Sequence, residues 1–365
     1  MTAATEHVET VVVGAGQAGL SVGHHLAKRG RRFVILDANE RVGDNWRRHW
    51  DSLRLYSPAR LDGLPGMPFP QPGWSFPTKD QTGDYLERYA EAFELPVRCD
   101  APVRRVARNG RGYLVDCAGG RIAADNVVVA TGTFGRPYTP AFAAELDPRI
   151  VQLHSSEYKN PSQLRDGPVL VVGASHSGAD VAMDCAGTHR TILCGRDTGQ
   201  LPGDIESRPG RAVWMVLSFL ARRVLTTRTP IGRKMKPEVR AHGGPLLRYK
   251  RADLRAAGVE RTTARAAGVR DGRPLLDDGT VLDVANVVWC TGFKQDFGWI
   301  EPPVCGEDGW PLEERGVVES APGLYFAGLA FQSGFSSMLL LGAGRDAEHV
   351  AEHITAHAER ADDLP

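Results

Sequence analysis

Two short apolar runs in this chain are each followed by a glycine-rich turn and then by a helical pattern. A run of valines leads into GAGQAG at residues 14–19, and a second leads into GASHSG at residues 173–178. Another apolar run follows each helical pattern, at Phe33–Leu36 and at Thr191–Cys194. Because continuous apolar runs that alternate with helices are typical of buried parallel strands, the pattern predicts doubly wound α/β sheets.

The two units repeat with matched spacings. In each unit, 23 positions separate the first glycine of the turn from the residue that ends the next strand. These pairs are Gly14 with Asp37 and Gly173 with Arg196. Thr-Gly elements close the units at Thr131 and Thr291, which follow those glycines by 117 and 118 positions. The repeat predicts two dinucleotide-binding domains, the second inserted in the first, with limits at 1–160, 161–289 and 290–365.

The residue types in each turn predict which nucleotide it binds. Glycines allow the tight turn and the close approach of a pyrophosphate, which then lies at a helix N-terminus. In the first unit Asp37 stands where an acid accepts both ribose hydroxyls, which suits FAD or NAD. In the second unit Arg196 stands there instead, and a guanidinium pairs with a 2′-phosphate, which suits NADP. Ser175 replaces the middle glycine of the second turn, where its Cβ crowds the approach of the pyrophosphate while its hydroxyl can donate to a phosphate oxygen.

Composition excludes several classes of protein. The 365 residues are 42% hydrophobic and 24% charged, as in ordinary globular proteins rather than disordered or fibrous ones. The 44 basic and 44 acidic residues cancel, which argues against nucleic acid as a partner. Six cysteines include no C-x-x-C pair, and the polar stretch 1–10 lacks the order of a secretory signal. These features predict a cytoplasmic protein without dithiol chemistry.

Further segments resemble the flavin-containing monooxygenases, including the plant enzymes of auxin synthesis and the Baeyer–Villiger enzymes. The segments that carry the resemblance are ERVG at 40–43 with Trp46, LRLYSP at 53–58, FPTKDQ at 76–81, YLERYA at 85–90, HSSEYK at 154–159 and TGF at 291–293. Only the second half of the family's F-x-G-x-x-x-H-x-x-x-[YF] fingerprint is present. Tyr158 stands where the Baeyer–Villiger branch has tryptophan, which favours oxidation of a heteroatom.

The resemblance implies an FAD- and NADPH-dependent monooxygenase. In that family a C4a-hydroperoxyflavin inserts one oxygen atom from O2 into a small organic substrate. N- or S-oxygenation is favoured here, and Baeyer–Villiger oxygenation is the alternative within the family. A flavin reductase or oxidase that passes electrons to an acceptor, and a non-catalytic NADPH-sensing flavoprotein, stay open as other functions. A homodimer is a further expectation, although no motif in the sequence indicates the oligomeric state.

Site residues follow from the repeat and the resemblance together. The residues expected to hold FAD are Gly14, Ala15, Gly16, Gln17, Ala18, Gly19, Asp37, Arg41, Asn45, Trp46, Thr131, Gly132, Gly328, Ser337 and Met338. Those expected to hold NADPH are Gly173, Ser175, His176, Ser177, Gly178, Arg196 and Thr291. No catalytic side chain is certain, because the cofactor carries the chemistry. The candidates are His154, Tyr158 and Ser57.

The C-terminal part predicts a helix that points at the flavin. Ser336 or Ser337 is interpreted as its N-cap, and helical sequence continues to about Ala356. The positive end of such a helix stabilises the charge of a reduced flavin, although a buried packing helix fits the same sequence. His349, His353 and His357 share one face of this helix, and we interpret them as a solvated face rather than a metal site.

One stretch is strongly basic. Residues 208–251 hold twelve Lys or Arg and one acid, Glu238, around the apolar segment 212–221. An insertion packed on the nicotinamide domain with a solvated basic rim is the favoured interpretation. Contact with an anionic membrane surface, a gate for an apolar substrate and an acidic partner are the alternatives.

Overall fold

A computed structural model describes residues 5–362 of the chain. Residues 1–4, which begin the polar stretch 1–10, and residues 363–365 lie outside this range. The strands are β1 (Glu6–Val13), β2 (Phe33–Leu36), β3 (Val97–Arg98), β4 (Val103–Asn109), β5 (Gly112–Cys117), β6 (Gly120–Val129), β7 (Arg136–Pro137), β8 (Val151–His154), β9 (Val169–Val172), β10 (Thr191–Cys194), β11 (Glu260–Thr262), β12 (Ala266–Arg270), β13 (Arg273–Leu276), β14 (Asn286–Trp289), β15 (Phe293–Lys294) and β16 (Leu324–Phe326). The helices are α1 (Gln17–Lys28), α2 (Asp44–Arg47), α3 (Lys79–Ala92), α4 (His176–Ala186), α5 (Arg208–Phe219), α6 (Pro230–Ala241), α7 (Arg251–Ala256) and α8 (Leu340–Asp362).

The first sheet has seven strands. Their order is β3-β2-β1-β6-β5-β4, and β16 pairs in parallel with the end of β6. Strand β1 is central and parallel to both β2 and β6. Strand β16 comes after the strands of the second sheet in the chain, yet it pairs in the first sheet. The second domain is therefore inserted in the first, as predicted.

The second sheet has five parallel strands in the order β11-β10-β9-β14-β8. The unit β9–α4–β10 repeats β1–α1–β2, and β14 takes the position of β6. Strand β8 lies within the predicted first segment 1–160, but it is hydrogen-bonded to β14 in the second sheet. The predicted domain limits stay a prediction, and the strand pairing assigns residues 151–154 to the second sheet.

Burial on both faces explains the continuous apolar runs. Val12 faces an apolar cluster formed with helices α1, α3 and α8, whereas Val11 and Val13 face a second cluster on the opposite side. A strand buried on both sides has no polar face and therefore reads as an unbroken apolar run. Helix α3 begins with a capping box in which Thr78 and Gln81 bond to each other's backbone N–H groups.

The basic stretch 208–251 forms α5, a π-helical turn at Leu220–Val224, α6 and a loop. The favoured interpretation, an insertion packed on the nicotinamide domain, describes its loop but not its helical part. The N–H of Thr227 donates to the carbonyl of Ser333, and Arg240 donates to the carbonyl of Ala330, so the helical part lies on the return segment of the first domain. Its following loop lies on the second domain, where Leu246 forms an isolated bridge with Gln200 in the loop after β10. Within residues 5–362, no helix is long and apolar enough to cross a membrane.

Candidate functional site

The first glycine-rich turn leaves open space at its middle glycine. A Cβ on Gly14 would lie 2.7 Å from the carbonyl oxygen of Ala130, and one on Gly19 would lie 1.8 Å from that of Gly14. These two glycines therefore serve the packing of strand against helix. For a Cβ on Gly16, the nearest atom is the Asn45 amide nitrogen at 3.9 Å. Helix α1 has no side-chain cap, so its first N–H groups face this space and fit a pyrophosphate.

Asp37 is fixed beside this turn. Its Oδ2 accepts a hydrogen bond from the Ala15 N–H at 2.6 Å, and its Oδ1 accepts two from Asn39, at 2.8 and 2.7 Å. The carboxylate is buried at the end of β2. A carboxylate has about four lone-pair sites, so this one keeps capacity for ribose hydroxyls.

The other FAD residues predicted in the first segment leave groups open to a ligand. Asn45 and Thr131 are exposed, and a Cβ on Gly132 would meet nothing within 4 Å. The Trp46 indole N–H is buried and has no hydrogen-bond partner among the described residues. Arg41 lies 3.5 Å from Asp44 and 3.6 Å from Glu87, two loose and partly exposed contacts. An open backbone edge and an unpartnered indole donor fit a bound cofactor.

The return segment reaches the same turn. Gly328 has a φ of +81°, and a Cβ there would lie 2.6 Å from the Cβ of Ala18. Gln17 donates a 3.2 Å hydrogen bond to the carbonyl of Met338. Residues 328 and 338 therefore lie against the start of α1, although 300 or more positions separate them in sequence.

The predicted N-cap of the last helix is wrong. Helix α8 begins at Leu340, after a 3₁₀ turn at Phe335–Met338, and it continues to Asp362 rather than to about Ala356. The Ser337 hydroxyl accepts the N–H groups of Ser333 and Gly334 instead, at 3.0 and 3.1 Å. It therefore closes the loop before the turn. The Ser336 hydroxyl is buried without a hydrogen-bond partner among the described residues.

The second turn repeats the packing of the first. A Cβ on Gly173 would lie 2.3 Å from the carbonyl oxygen of Cys290, and one on Gly178 would lie 1.7 Å from that of Gly173. Ser175, at the middle position, donates its hydroxyl to the carbonyl of Gly244 at 2.8 Å. This hydroxyl is therefore directed at the loop 243–246 rather than at an open phosphate position. A Cβ on Gly243 would lie 2.7 Å from Ser175, so the loop closely covers the turn.

His176 follows Ser175 at the start of α4, and Ser177 is partly exposed beside it. Burial lowers the pKa of His176 to about 4, so the ring is neutral near pH 7. Its Nε2 is buried and has no partner among the described residues. The ring centre lies 5.2 Å from that of Tyr56 in the first domain. His176 therefore lies where the two domains meet.

Arg196 is exposed two positions after the end of β10 and makes no hydrogen bond or ion pair with any described residue. The acid beside it, Asp197, is held by Arg251 at 2.6 and 2.7 Å, and this contact lowers the pKa of Asp197. A free guanidinium next to a neutralised acid fits a 2′-phosphate. The sequence analysis did not single out Arg251, because its spacing from Arg196 carries no motif.

His154 and Thr291 lie where the chain passes between the two sheets, at the ends of β8 and β14. The His154 Nε2 lies 3.0 Å from the carbonyl oxygen of Gly292, and its Nδ1 lies 2.8 Å from the Ser156 hydroxyl. Burial lowers the pKa of His154. Thr291 donates its hydroxyl to the carbonyl of Tyr138. Since both ring nitrogens of His154 have partners, this geometry favours a linking role over proton transfer.

Tyr158 lies in the core of the second domain. Its side chain is fully buried, and its hydroxyl lies 3.6 Å from the Cys185 sulfur. Burial raises the pKa of Tyr158 above its ordinary value. In this geometry Tyr158 packs the core and has no surface with which to contact a substrate.

Ser57 donates its hydroxyl to Asp62 at 2.7 Å. The other carboxyl oxygen of Asp62 is buried without a partner among the described residues. Burial raises the pKa of Asp62 to about 7, because its effect is larger than the opposite effect of the hydrogen bond from Ser57. Asp62 is therefore partly protonated near pH 7 and can share a proton with Ser57.

The raised pKa of Asp62 predicts a pH-dependent stability. Between pH 5 and 8 the folded protein holds this proton more tightly than the unfolded chain, so stability falls as the pH rises. Relative to Asp62→Asn, we expect the wild type to lose about 2–3 kcal/mol of unfolding free energy over this range. Urea unfolding of both proteins with saturating FAD measures the difference. Parallel pH profiles would contradict the assignment.

A buried cluster that the sequence analysis missed also joins the domains. The Tyr56 hydroxyl donates to Asp180 at 2.8 Å, and Arg248 lies 3.5 Å from the same carboxylate. Arg248 also donates to the carbonyl of Leu55 at 2.7 Å and to Glu206 at 3.0 Å. Burial raises the pKa of Asp180 to about 6 despite Arg248. The cluster fastens segment 53–58 to α4 and to the basic stretch.

The predicted histidine face of α8 is partly buried. His353 lies 3.1 Å from the Tyr325 hydroxyl through its Nδ1. Within the described part of the chain, no group of three or more His, Cys, Asp or Glu side chains is arranged to hold a metal ion.

Comparison with known proteins is consistent with this arrangement. The profile of the pyridine nucleotide-disulphide oxidoreductase family matches residues 11–206. An uncharacterized CzcO-like oxidoreductase of Geobacillus kaustophilus is 35% identical over 96% of this chain and 99% of its own. The indole-3-pyruvate monooxygenase YUCCA1 of Oryza sativa is 36% identical over 94% of this chain and 90% of its own. The solved flavin-containing monooxygenase of Stenotrophomonas maltophilia is 26% identical, with a TM-score of 0.78 over 97% of this chain and all of that one. The chain therefore belongs to the flavin-dependent monooxygenases within the pyridine nucleotide-disulphide oxidoreductase family, whose cofactors are FAD and NADPH.

Proposed function

We propose that this enzyme oxidises NADPH and transfers one oxygen atom from O2 to nitrogen or sulfur in a small organic substrate. The observation that carries the proposal is the contrast between the two nucleotide turns. One has a fixed acid, Asp37, and the other an exposed, unpaired cation, Arg196.

The first turn would hold FAD. The α1 N-terminus and Gly16 would receive the pyrophosphate, Asp37 the adenosine ribose, and segment 328–338 the flavin end of the molecule. When bound, FAD accepts a hydride from NADPH and supplies the oxygen-transfer chemistry. The chain's own part is to bind and orient the reactants and to exclude water.

The second turn would hold NADPH. Arg196 would pair with the 2′-phosphate, while Arg251 keeps the Asp197 carboxylate from repelling it. Ser175 would have to share or release its hydrogen bond to Gly244 as the pyrophosphate approaches. We infer that loop 243–246 moves when NADPH binds. His154 would hold the segment that leaves β14 through its contact with Gly292.

The cysteines support oxygen transfer over disulfide reduction. All six are free thiols, and burial raises the pKa of every one. Dithiol reductases need a thiol whose pKa is lowered, because the thiolate is the nucleophile. Free thiols also suit a reducing compartment, and we propose a cytoplasmic location.

The substrate class rests on resemblance. Tyr158, in place of the tryptophan of the Baeyer–Villiger branch, favours an amine or a sulfide over a ketone. Indole-3-pyruvate is a second candidate, because the rice relative is named for that substrate.

Product analysis under ¹⁸O2 tests this proposal. The flavin-loaded enzyme is supplied with NADPH and with an aryl methyl sulfide, a tertiary amine, a cyclic ketone or indole-3-pyruvate. We expect one ¹⁸O atom per sulfoxide or N-oxide, with NADPH consumed in step. A ketone that alone gives product, as a lactone, would place the enzyme in the Baeyer–Villiger branch. Release of hydrogen peroxide with no oxygenated product from any of the four would contradict oxygen transfer.

A further inference from the structure

Helix α5 presents an apolar strip to solvent. Met215, Val216 and Phe219 are 47%, 57% and 60% exposed. They fall on one side of the helix, because residues spaced by three and four positions share a face. On the other side Trp214 and Leu217 are half-buried and Ser218 is buried, so the helix is apolar on its outer face as well as its inner one.

Cations border this strip at both ends. Arg208 and Arg211 precede it, and Arg222 and Arg223 follow it, and all four are exposed. The stretch from 208 to 237 contains eight Lys or Arg and no acid. Seven of these are exposed, and none of those seven forms an ion pair with a described residue. The eighth, Lys236, pairs with Glu313. The exposed charge is therefore free to meet an external anion.

We propose that α5 is a docking surface for an anionic phospholipid bilayer, with the helix axis parallel to the membrane plane. Apolar side chains in the centre would enter the acyl boundary, while the flanking arginines would extend to the lipid phosphates. Charge complementarity selects this partner over a second copy of the same face, which would bring like charges together. From the sequence alone, the favoured interpretation of residues 208–251 is an insertion with a solvated basic rim. The exposed apolar strip on α5 favours a membrane contact instead.

The docking surface is connected to the flavin-side segment. The carbonyl of Arg222 accepts a hydrogen bond from Arg345 at 2.8 Å, and the N–H of Phe335 donates to the carbonyl of Leu225 at 2.8 Å. Thr226 forms a bridge with Gly334. Binding at α5 would thus hold residues 333–345 close to the membrane. The proposal itself does not depend on the oxygenation reaction.

Vesicle co-sedimentation of the flavin-loaded protein tests the proposal. The probes are vesicles of phosphatidylglycerol with phosphatidylcholine, and vesicles of phosphatidylcholine alone. We expect binding to the anionic vesicles only, weakened by 0.5 M salt because added ions screen the headgroups. Val216→Ser with Phe219→Ser, and separately Arg208→Glu with Arg223→Glu, should each reduce binding about tenfold or more.

Two control variants test whether vesicle binding depends on this surface rather than on any exposed apolar or basic side chain. Leu312→Ser removes another large apolar side chain, 62% exposed, and Arg104→Glu reverses another exposed, unpaired cation. Neither should change vesicle binding. Equal binding to both kinds of vesicle, no binding to either, or equal losses in the controls would overturn the proposal. The proposal would also be overturned if the wild type bound no vesicles and the α5 variants instead lost self-association or lost binding to an acidic polypeptide.

Discussion

We expect Arg196→Glu to raise the KM for NADPH about 100-fold while the KM for NADH changes less than about twofold. A charge-assisted guanidinium–phosphate contact is worth about 1.5–3 kcal/mol, and the introduced carboxylate adds repulsion. NADH lacks the 2′-phosphate, so it neither gains from the arginine nor is repelled strongly by the acid. Steady-state oxidation of both nucleotides by the purified, flavin-loaded variant measures the difference.

Arg255→Glu is the matched control for this variant. Arg255 is an exposed residue of α7 in the same domain and forms no ion pair with a described residue. The control should leave both KM values unchanged. A parallel rise for NADPH and NADH in Arg196→Glu would refute the phosphate role of this residue.

The second large effect is expected at the first turn. We expect Gly16→Val to abolish FAD retention, with at least about a 100-fold weaker Kd, because the side chain fills the space for the pyrophosphate. The fold should persist, since a Cβ at this position meets only Asn45, at 3.9 Å. Flavin absorbance after gel filtration, together with circular dichroism, measures both properties.

Two further glycines serve as controls for Gly16→Val. Gly268→Val introduces the same side chain in β12, where a Cβ meets nothing within 4 Å, and it should keep FAD. Gly19→Ala should destabilise the whole protein, because its Cβ would overlap the Gly14 carbonyl. A Gly16→Val protein that purifies with a full complement of FAD would refute the first site.

The repeated core could be predicted from the sequence because its signals are local. Strands β2 and β10 have the predicted bounds, Phe33–Leu36 and Thr191–Cys194. Each lies between a helix with regular apolar spacing and a polar segment, and each is buried on both faces. The two turns could be predicted for the same reason, because Gly14 and Gly173 have positive φ values that other residues rarely adopt.

Contacts between distant segments could not be predicted in this way. Nothing near Ser175 indicates that its hydroxyl bonds to Gly244, 69 positions later. Ser337 shows a related limit, because a serine hydroxyl accepts N–H groups in a loop as readily as at a helix start. The Asp197–Arg251 pair likewise depends on how the basic stretch folds back onto β10.

Two functions other than oxygen transfer are also compatible with the sequence alone. A reductase or oxidase would use the same two nucleotide sites and pass electrons to an acceptor or to O2. An NADPH-sensing flavoprotein would use them without turnover, and the α5 docking surface would suit a membrane-associated sensor. All three share the binding geometry described above, so they differ only in what reduced flavin does with oxygen.

Rapid mixing with O2 decides between them. The enzyme is reduced with NADPH under anaerobic conditions and mixed with oxygenated buffer while the flavin spectrum is recorded. We expect an oxygenated flavin spectrum, blue-shifted from that of oxidised flavin, which persists until an amine or sulfide is added and then decays with product formation. Direct return to oxidised flavin with one equivalent of hydrogen peroxide, whether or not substrate is present, would contradict it.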